Sequence, residues 1–324
     1  MKCRLALSSA AVFVVMLLCG SAHAVDGVVL IDQARAAAGH VTPHDTPGFP
    51  VTISTPGSYR LSGNLTVARP NTTAIEITSD NVTLDLNGFS ILGPTVCTPG
   101  ANKSVSCSPS GNGIGVNAPT EENITVSNGV VSGMGLGGIN LGGANSRAER
   151  IQAYSNGSYG INATIASNNT AANNGTVGIT STIASNNTSA NNGGDGIDSP
   201  GTVNNCVSNN NGGIGISAVT ANNSSSTNNE TSGILANTAI GNTATGNVGY
   251  GIEAGTANNN FSSNNGGNGI VANTAVGNTA NANGGYGLVS SGGYANNVFN
   301  GNTTGQVSGG LQMGTNICNN AACP

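Results

Sequence analysis

Asp195 and Asp198 are the only close acidic pair beyond residue 150, and no lysine or arginine follows Arg150. A carboxylate can act as the base that removes a proton beside an acid group, provided a cation or metal holds the charge that develops. Arg147 and Arg150 are the nearest cations that could supply it. Hydrolysis of a glycosidic bond would instead need two carboxyl groups facing each other about 5 to 9.5 Å apart. Asp195 and Asp198 stand on either side of Gly196-Ile197, and strand alternation would point them apart. Asp198 and Glu253 share a face but lie three repeats from each other, ~14 Å at the spacing of stacked strands. A solvated turn is the simpler place for the acidic pair.

What positions these side chains is a Gly-aliphatic pair that returns at Gly160-Ile161, Gly178-Ile179, Gly196-Ile197, Gly215-Ile216, Gly233-Ile234, Gly251-Ile252, Gly269-Ile270 and Gly287-Leu288. Every step is 18 residues except the third, which is 19. A fixed period of this kind describes a stack in which each unit buries its apolar side against the next. With each Gly counted as zero, offset six carries Ala166, Ala184, Thr202, Ala221, Ala239, Ala257 and Ala275. Offset eleven carries Ala171, Ser189, Val207, Ser226, Ala244, Ser262 and Ala280. The core is therefore narrow, with one aliphatic side and two walls of small residues. Asparagine files run at offset nine (Asn169, Asn187, Asn205, Asn242, Asn260, Asn278, with Ser224 intervening) and offset fourteen (Asn174 through Asn210 to Asn283). Asn tolerates left-handed bends, and its amides can hydrogen-bond from turn to turn when stacked at ~4.8 Å.

Offset two faces outward from the strand and is the natural bed for a long polymer. Reading down it gives Glu76, Gly115, Asn140, Asn162, Thr180, Asp198, Ser217, Leu235, Glu253, Val271, Val289 and Gln312. Tyr159, Tyr250 and Tyr286 precede the glycine and could stack on sugar rings. Thr220, Thr238, Thr256 and Thr274 share offset five, with Thr164 and Thr182 one position earlier. A flat threonine face would suit ice. The neighbouring file Thr170, Thr188, Thr243 and Thr279 is broken by Cys206, Ser225 and Phe261.

Bulk properties bound the rest. Lys2 and Arg4, the apolar run from Leu5 to Cys19 and Ala22-His23-Ala24 read as an export signal over 1–24, so the mature protein starts at Val25. Removing Lys2 and Arg4 leaves six basic residues against thirteen acidic ones, and a surface this acidic repels nucleic acid. No other stretch reaches the ~20 apolar residues of a membrane helix. Cys97 with Cys107 and Cys318 with Cys323 are spaced as two local disulfides of an oxidising compartment, leaving Cys206 as a small buried thiol. Residues 31–38 predict a short helix stopped by Gly39 that caps one end of the stack within 25–49. Short alternating strands follow from residue 50, and Asn81-Val-Thr-Leu before Asn87-Gly88 is echoed by Asn123-Ile-Thr-Val before Asn128-Gly129.

Ile75-Glu-Ile77, the segment from Asn81 to Ile91 and the Asn-Asn-x-x-x-Gly-Ile turn endings resemble the right-handed parallel β-helix, or pectin lyase-like, proteins of bacterial secreted type. The resemblance covers residues 50–316, before a disulfide-tied tail at 317–324, and implies an all-β solenoid. For activity it implies a choice among lyases, hydrolases, epimerases and binding proteins. Calcium-dependent members use clustered acids with an Arg or Lys, for which Asp195, Asp198, Arg147 and Arg150 are the candidates, and calcium is the one cofactor the resemblance suggests. The expectation is an exported, periplasmic or surface scaffold contacting polysaccharide or cell-surface glycan through Tyr159, Asn162, Thr180, Asp198, Tyr250, Glu253 and Tyr286, without catalysis. A polysaccharide lyase is the alternative, and an ice-binding solenoid the second.

Overall fold

The computed structural model describes residues 27–323, so the export signal at 1–24 lies outside the described residues. The chain is an all-β parallel β-helix of about 11 turns. The one α-helix among the described residues is Gln33–Ala38. It is shorter than the sequence suggests because Ile31 belongs to the strand Val29–Ile31 and Asp32 is the N-cap, its side chain accepting from the Arg35 N–H at 2.9 Å. Ala36 turns inward and joins the core. No helix of the described residues is long and apolar enough to cross a membrane.

Each regular turn follows from residue type. The strand Ile161–Ser167 runs to a bend at Asn168 (φ 58°), the strand Thr170–Ala172 to a second bend at Asn173 (φ 53°), and a loop returns to Gly178. Both bends need the left-handed region that Asn and Gly enter at least cost. One turn accordingly uses Gly241 (φ 65°) and Gly246 (φ 67°) in place of the two asparagines. Ile139, Ile161, Ile179, Ile197 and their successors through Leu288 stack in register as one buried aliphatic column. The glycine before each is held by close approach: a Cβ on Gly160 would come 2.8 Å from Asn174 Nδ2 and 3.0 Å from the Ala171 Cβ.

The asparagine files are amide ladders. In the unbroken one, Asn156, Asn174, Asn192, Asn211, Asn229, Asn247, Asn265, Asn283 and Asn302 each donate from Nδ2 to the next Oδ1 at 2.9 to 3.0 Å. Asn302 then donates to Gln306 Oε1 at 2.8 Å. The second ladder runs from Asn169 to Asn187 and from Asn242 to Asn316, with Cys206 and Ser224 between. Buried amides with every donor and acceptor used rigidify a core that apolar packing alone would leave thin.

One turn departs from the sequence alignment. The extra residue of the 19-residue step is absorbed inside the strand at Pro200-Gly201, where the register shifts so that Ile183 pairs with Thr202 and Ala184 with Val203. Val203, Cys206, Ser208 and Asn211 therefore occupy the inward columns in place of Thr202, Asn205, Val207 and Asn210. Asn205 (φ 51°) and Asn210 (φ 54°) are the left-handed bends.

Both expected disulfides, Cys97–Cys107 and Cys318–Cys323, are formed, and Cys206 is free and buried. Cys97–Cys107 ties a hairpin of Val96–Pro99 and Val105–Ser108 that lies along the loop side of the stack past Gly175, Gly193 and Gly212. There Lys103 Nζ meets Glu230 at 3.4 Å.

Candidate functional site

Pairing across the stack fixes the outward column. From the N-terminal end it reads Thr52, Glu76, Asn117, Asn140, Asn162, Thr180 and Asp198. It continues as Ser217, Leu235, Glu253, Val271, Val289 and Ser308. Asn117 and Ser308 stand where the sequence suggested Gly115 and Gln312, because the turns at both ends depart from the 18-residue period. Every member is half-buried, as expected of the floor of a shallow groove.

The groove has two characters. In its first half the side chains form a third, outward amide file: Asn162 Nδ2 donates to Asn140 Oδ1 at 2.9 Å, and Asn140 Nδ2 to Asn117 Oδ1 at 2.7 Å. Asn117 Nδ2 then donates to both carboxylate oxygens of Glu76 at 2.9 and 3.0 Å. Burial raises the Glu76 carboxyl above its ordinary value; the Asn117 bond opposes this, while nearby Glu121 adds to it. A cavity of about 160 Å³ opens beside Asn162, Thr180 and Ser181 and is bounded by Pro200. The second half is mixed, with a cavity of about 370 Å³ lined by Leu235, Glu253, Val271 and Val289. The Pro200-Gly201 bulge separates the two. A larger hollow of about 610 Å³ lies at the N-terminal end, among Val29, Val41, Pro43 and Tyr59, away from this column.

Asp195 and the two arginines lie off this floor. Asp195 Oδ1 accepts from the Ile214 N–H at 2.7 Å, and Asn268 Oδ1 accepts the equivalent bond from the Tyr286 N–H four turns on. Its carboxyl is raised by burial first and by neighbouring Asp198 last, against the lowering effect of that bond. Asp198 is on the groove floor. Arg147 pairs in register with Ile165, and Arg150 takes a left-handed bend (φ 51°), so both lie on the strand beyond the groove strand and three turns before Asp198. Glu149 engages both: Arg147 Nη1 donates to it at 2.8 Å and Arg150 Nη1 lies 3.6 Å away. Arg150 Nε donates to Asn128 Oδ1 at 2.6 Å. The structure does not bring the two arginines to the acidic pair. Among the described residues no group of three or more His, Cys, Asp or Glu side chains is placed to hold a metal ion.

The tyrosines lie against glycines of adjacent turns. Tyr159 packs over Gly137, and burial pushes its phenol up to about 12. Tyr286 covers Gly305, and Tyr250, beside Gly267, is 40% exposed. Further along the same strands, Thr202, Thr220, Thr238, Thr256 and Thr274 stack in register. Thr202 enters this file because of the bulge, which also puts Val207 rather than Cys206 in the broken file next to it. Asn117 was the member that spacing missed, since its turn is separated from that of Glu76 by the inserted hairpin; the shared Asn type at Asn117, Asn140 and Asn162 was the available signal.

No family model and no curated protein matches the chain. Among solved structures it is similar to the A-module of mannuronan C-5 epimerase AlgE6 of Azotobacter vinelandii, at 17% identity and a TM-score of 0.58, covering 92% of this chain and 97% of that one. It is also similar to the A-module of AlgE4 from the same organism, at 16% identity and a TM-score of 0.56, covering 81% and 87%. At these identities the likeness is one of fold, and the chain is built as a parallel β-helix like those two modules.

Proposed function

We propose that the chain is an exported, extracytoplasmic scaffold that holds polysaccharide or cell-surface glycan along the outward column without cleaving it. The observation that carries this reading is the column itself: a half-buried floor, continuous over successive turns, polar in one half and of mixed polar and apolar character in the other. Polymers with alternating polar and apolar faces match such a surface. Asn162, Thr180, Asp198 and Glu253 line it, and Tyr159, Tyr250 and Tyr286, just before the same strand, are offered as flanking contacts. Two disulfides accord with an oxidising compartment. The names of the two similar modules, both mannuronan epimerases, add support for a glycan.

Lyase chemistry is the weaker alternative because it needs a cation at the base, and Arg147 and Arg150 are engaged by Glu149 elsewhere. The test is size-exclusion chromatography of the mature protein incubated with neutral and uronate-containing polysaccharides, with and without calcium. Glycan of unchanged length that co-elutes with the protein is expected. Shortened chains would make the protein an enzyme, and the absence of co-elution would remove the glycan from the proposal.

A further inference from the structure

The outward amide file has a direction. Each Nδ2 donates toward the N-terminal end, where the two oxygens of Glu76 terminate the series. At the opposite end, Asn162 Oδ1 has no donor among the described residues. The two buried ladders do not stop this way, since each of their interior amides is bonded above and below. The next residue of the floor is Thr180, followed by Ser181, which is 2% exposed and whose Oγ has no hydrogen-bond partner. In the following turn the equivalent Ser199 donates to Thr182 O at 3.1 Å, so the orphan hydroxyl is particular to this level of the stack. Asn162, Thr180 and Ser181 line the same 160 Å³ cavity.

A buried hydroxyl without a partner is costly to leave unmet, and a half-buried carbonyl without a protein donor is open to a donor from a ligand. They ask for a ligand that both donates and accepts, as a sugar hydroxyl does. The volume equals that of roughly five waters, enough for part of a sugar ring. The other polar residues lining it are Thr164 and Thr182, and no charged side chain lines it. The nearest charged member of the floor is Asp198, one turn on, which would repel a carboxylate seated here.

We infer that this cavity beneath Pro200 is the anchoring subsite of the groove, and that it takes an uncharged, hydroxyl-rich sugar residue rather than a uronate. One hydroxyl donates to Asn162 Oδ1 and accepts from Ser181 Oγ or Thr180 Oγ1. The subsite presupposes that the groove binds glycan, and it adds where along the groove and which class.

The test is calorimetric titration of the mature protein with neutral β-1,4-linked glucan and mannan hexasaccharides and with oligouronates of equal length. Asn162→Ala and Ser181→Ala are titrated in parallel, and thermal melting checks that each variant is folded. Saturable binding of a neutral oligosaccharide is expected, weakened tenfold or more by Asn162→Ala and severalfold by Ser181→Ala, with oligouronates bound at least tenfold more weakly. Unchanged affinity in both folded variants would overturn the subsite while leaving a glycan-binding groove in place. Preference for oligouronates would overturn the neutral class. Failure of folded wild-type protein to bind any glycan, in this titration and in co-elution, would overturn subsite and groove together.

Discussion

Two asparagine files of the same chemistry and spacing end differently. The buried file from Asn156 to Asn302 runs through nine turns and closes on Gln306, with each interior amide bonded on both sides. The outward file from Asn162 to Glu76 crosses four levels, closes on a carboxylate, and leaves one carbonyl free beside a cavity. A stacked amide is therefore a structural element when it is buried and satisfied, and a recognition element where the stack leaves it open. The first should govern stability and the second binding.

The largest effect should come from breaking the buried file at its middle. Asn229 donates to Asn247 Oδ1 and Ser226 Oγ and accepts from Asn211. Asn229→Ala would leave several buried groups unpaired and should cost about 3 kcal/mol or more, read as an earlier urea transition. A loss under half of that would mean water or neighbours replace the amide, and the two files would no longer differ in kind.

A smaller effect, of opposite sign, should follow from mending the other buried file. At its gap the Asn187 N–H donates to Cys206 Sγ at 3.4 Å and Nδ2 only at 3.9 Å. Cys206→Asn restores the ladder residue and should stabilise by about 1 kcal/mol. Burial raises the Cys206 thiol, so alkylation of the wild-type thiol should require unfolding. Rapid alkylation of native protein would contradict the buried placement.

The outward file should reveal itself through pH. Glu76 is raised above its ordinary value in the fold, chiefly by burial, so the folded state binds this proton more tightly than the unfolded chain does. Its contribution to stability is therefore greatest below the unfolded pKa, falls as pH rises through the folded value, and is flat above it. Glu76→Gln should remove that decline, so the melting temperature of the variant relative to wild type should rise from about pH 4 to neutrality. Asp195 has the same sign and Asp32 the opposite, so only the difference curve isolates Glu76. The smallest effect is expected at Thr238→Ala, half-buried in the threonine file, within about 0.5 kcal/mol and without change in glycan binding.

The fold was legible because each regular turn states the same environments again: a glycine where the next amide approaches, an aliphatic core residue, an asparagine at each left-handed bend. The place of the bulge was not, since a 19-residue step does not say which position doubles; the Pro200-Gly201 pair was the local sign of it. Nor could period alone find Asn117 or the docking of Lys103 on Glu230, which depend on turns of other lengths and on a hairpin packed by tertiary contact. Of the candidate site residues, Asn162, Thr180, Asp198 and Glu253 stand in one outward column, whereas Asp195 and the tyrosines lie beside it. The arginines were not placed near the acids because they belong to a different strand of the turn, a distinction that spacing from the glycine does not reach before residue 160.

The most direct measurement is hydrogen–deuterium exchange of the mature protein with and without the glycan that co-elutes with it. Slowed exchange should centre on the strands Ile161–Ser167 and Ile179–Ser185 and extend along the groove, leaving the hairpin Val96–Ser108 and the short strands Thr243–Thr245 and Thr279–Asn281 unchanged. Slowed exchange on those short strands instead, or none anywhere at saturating glycan, would contradict the assignment of the groove as the glycan-binding face.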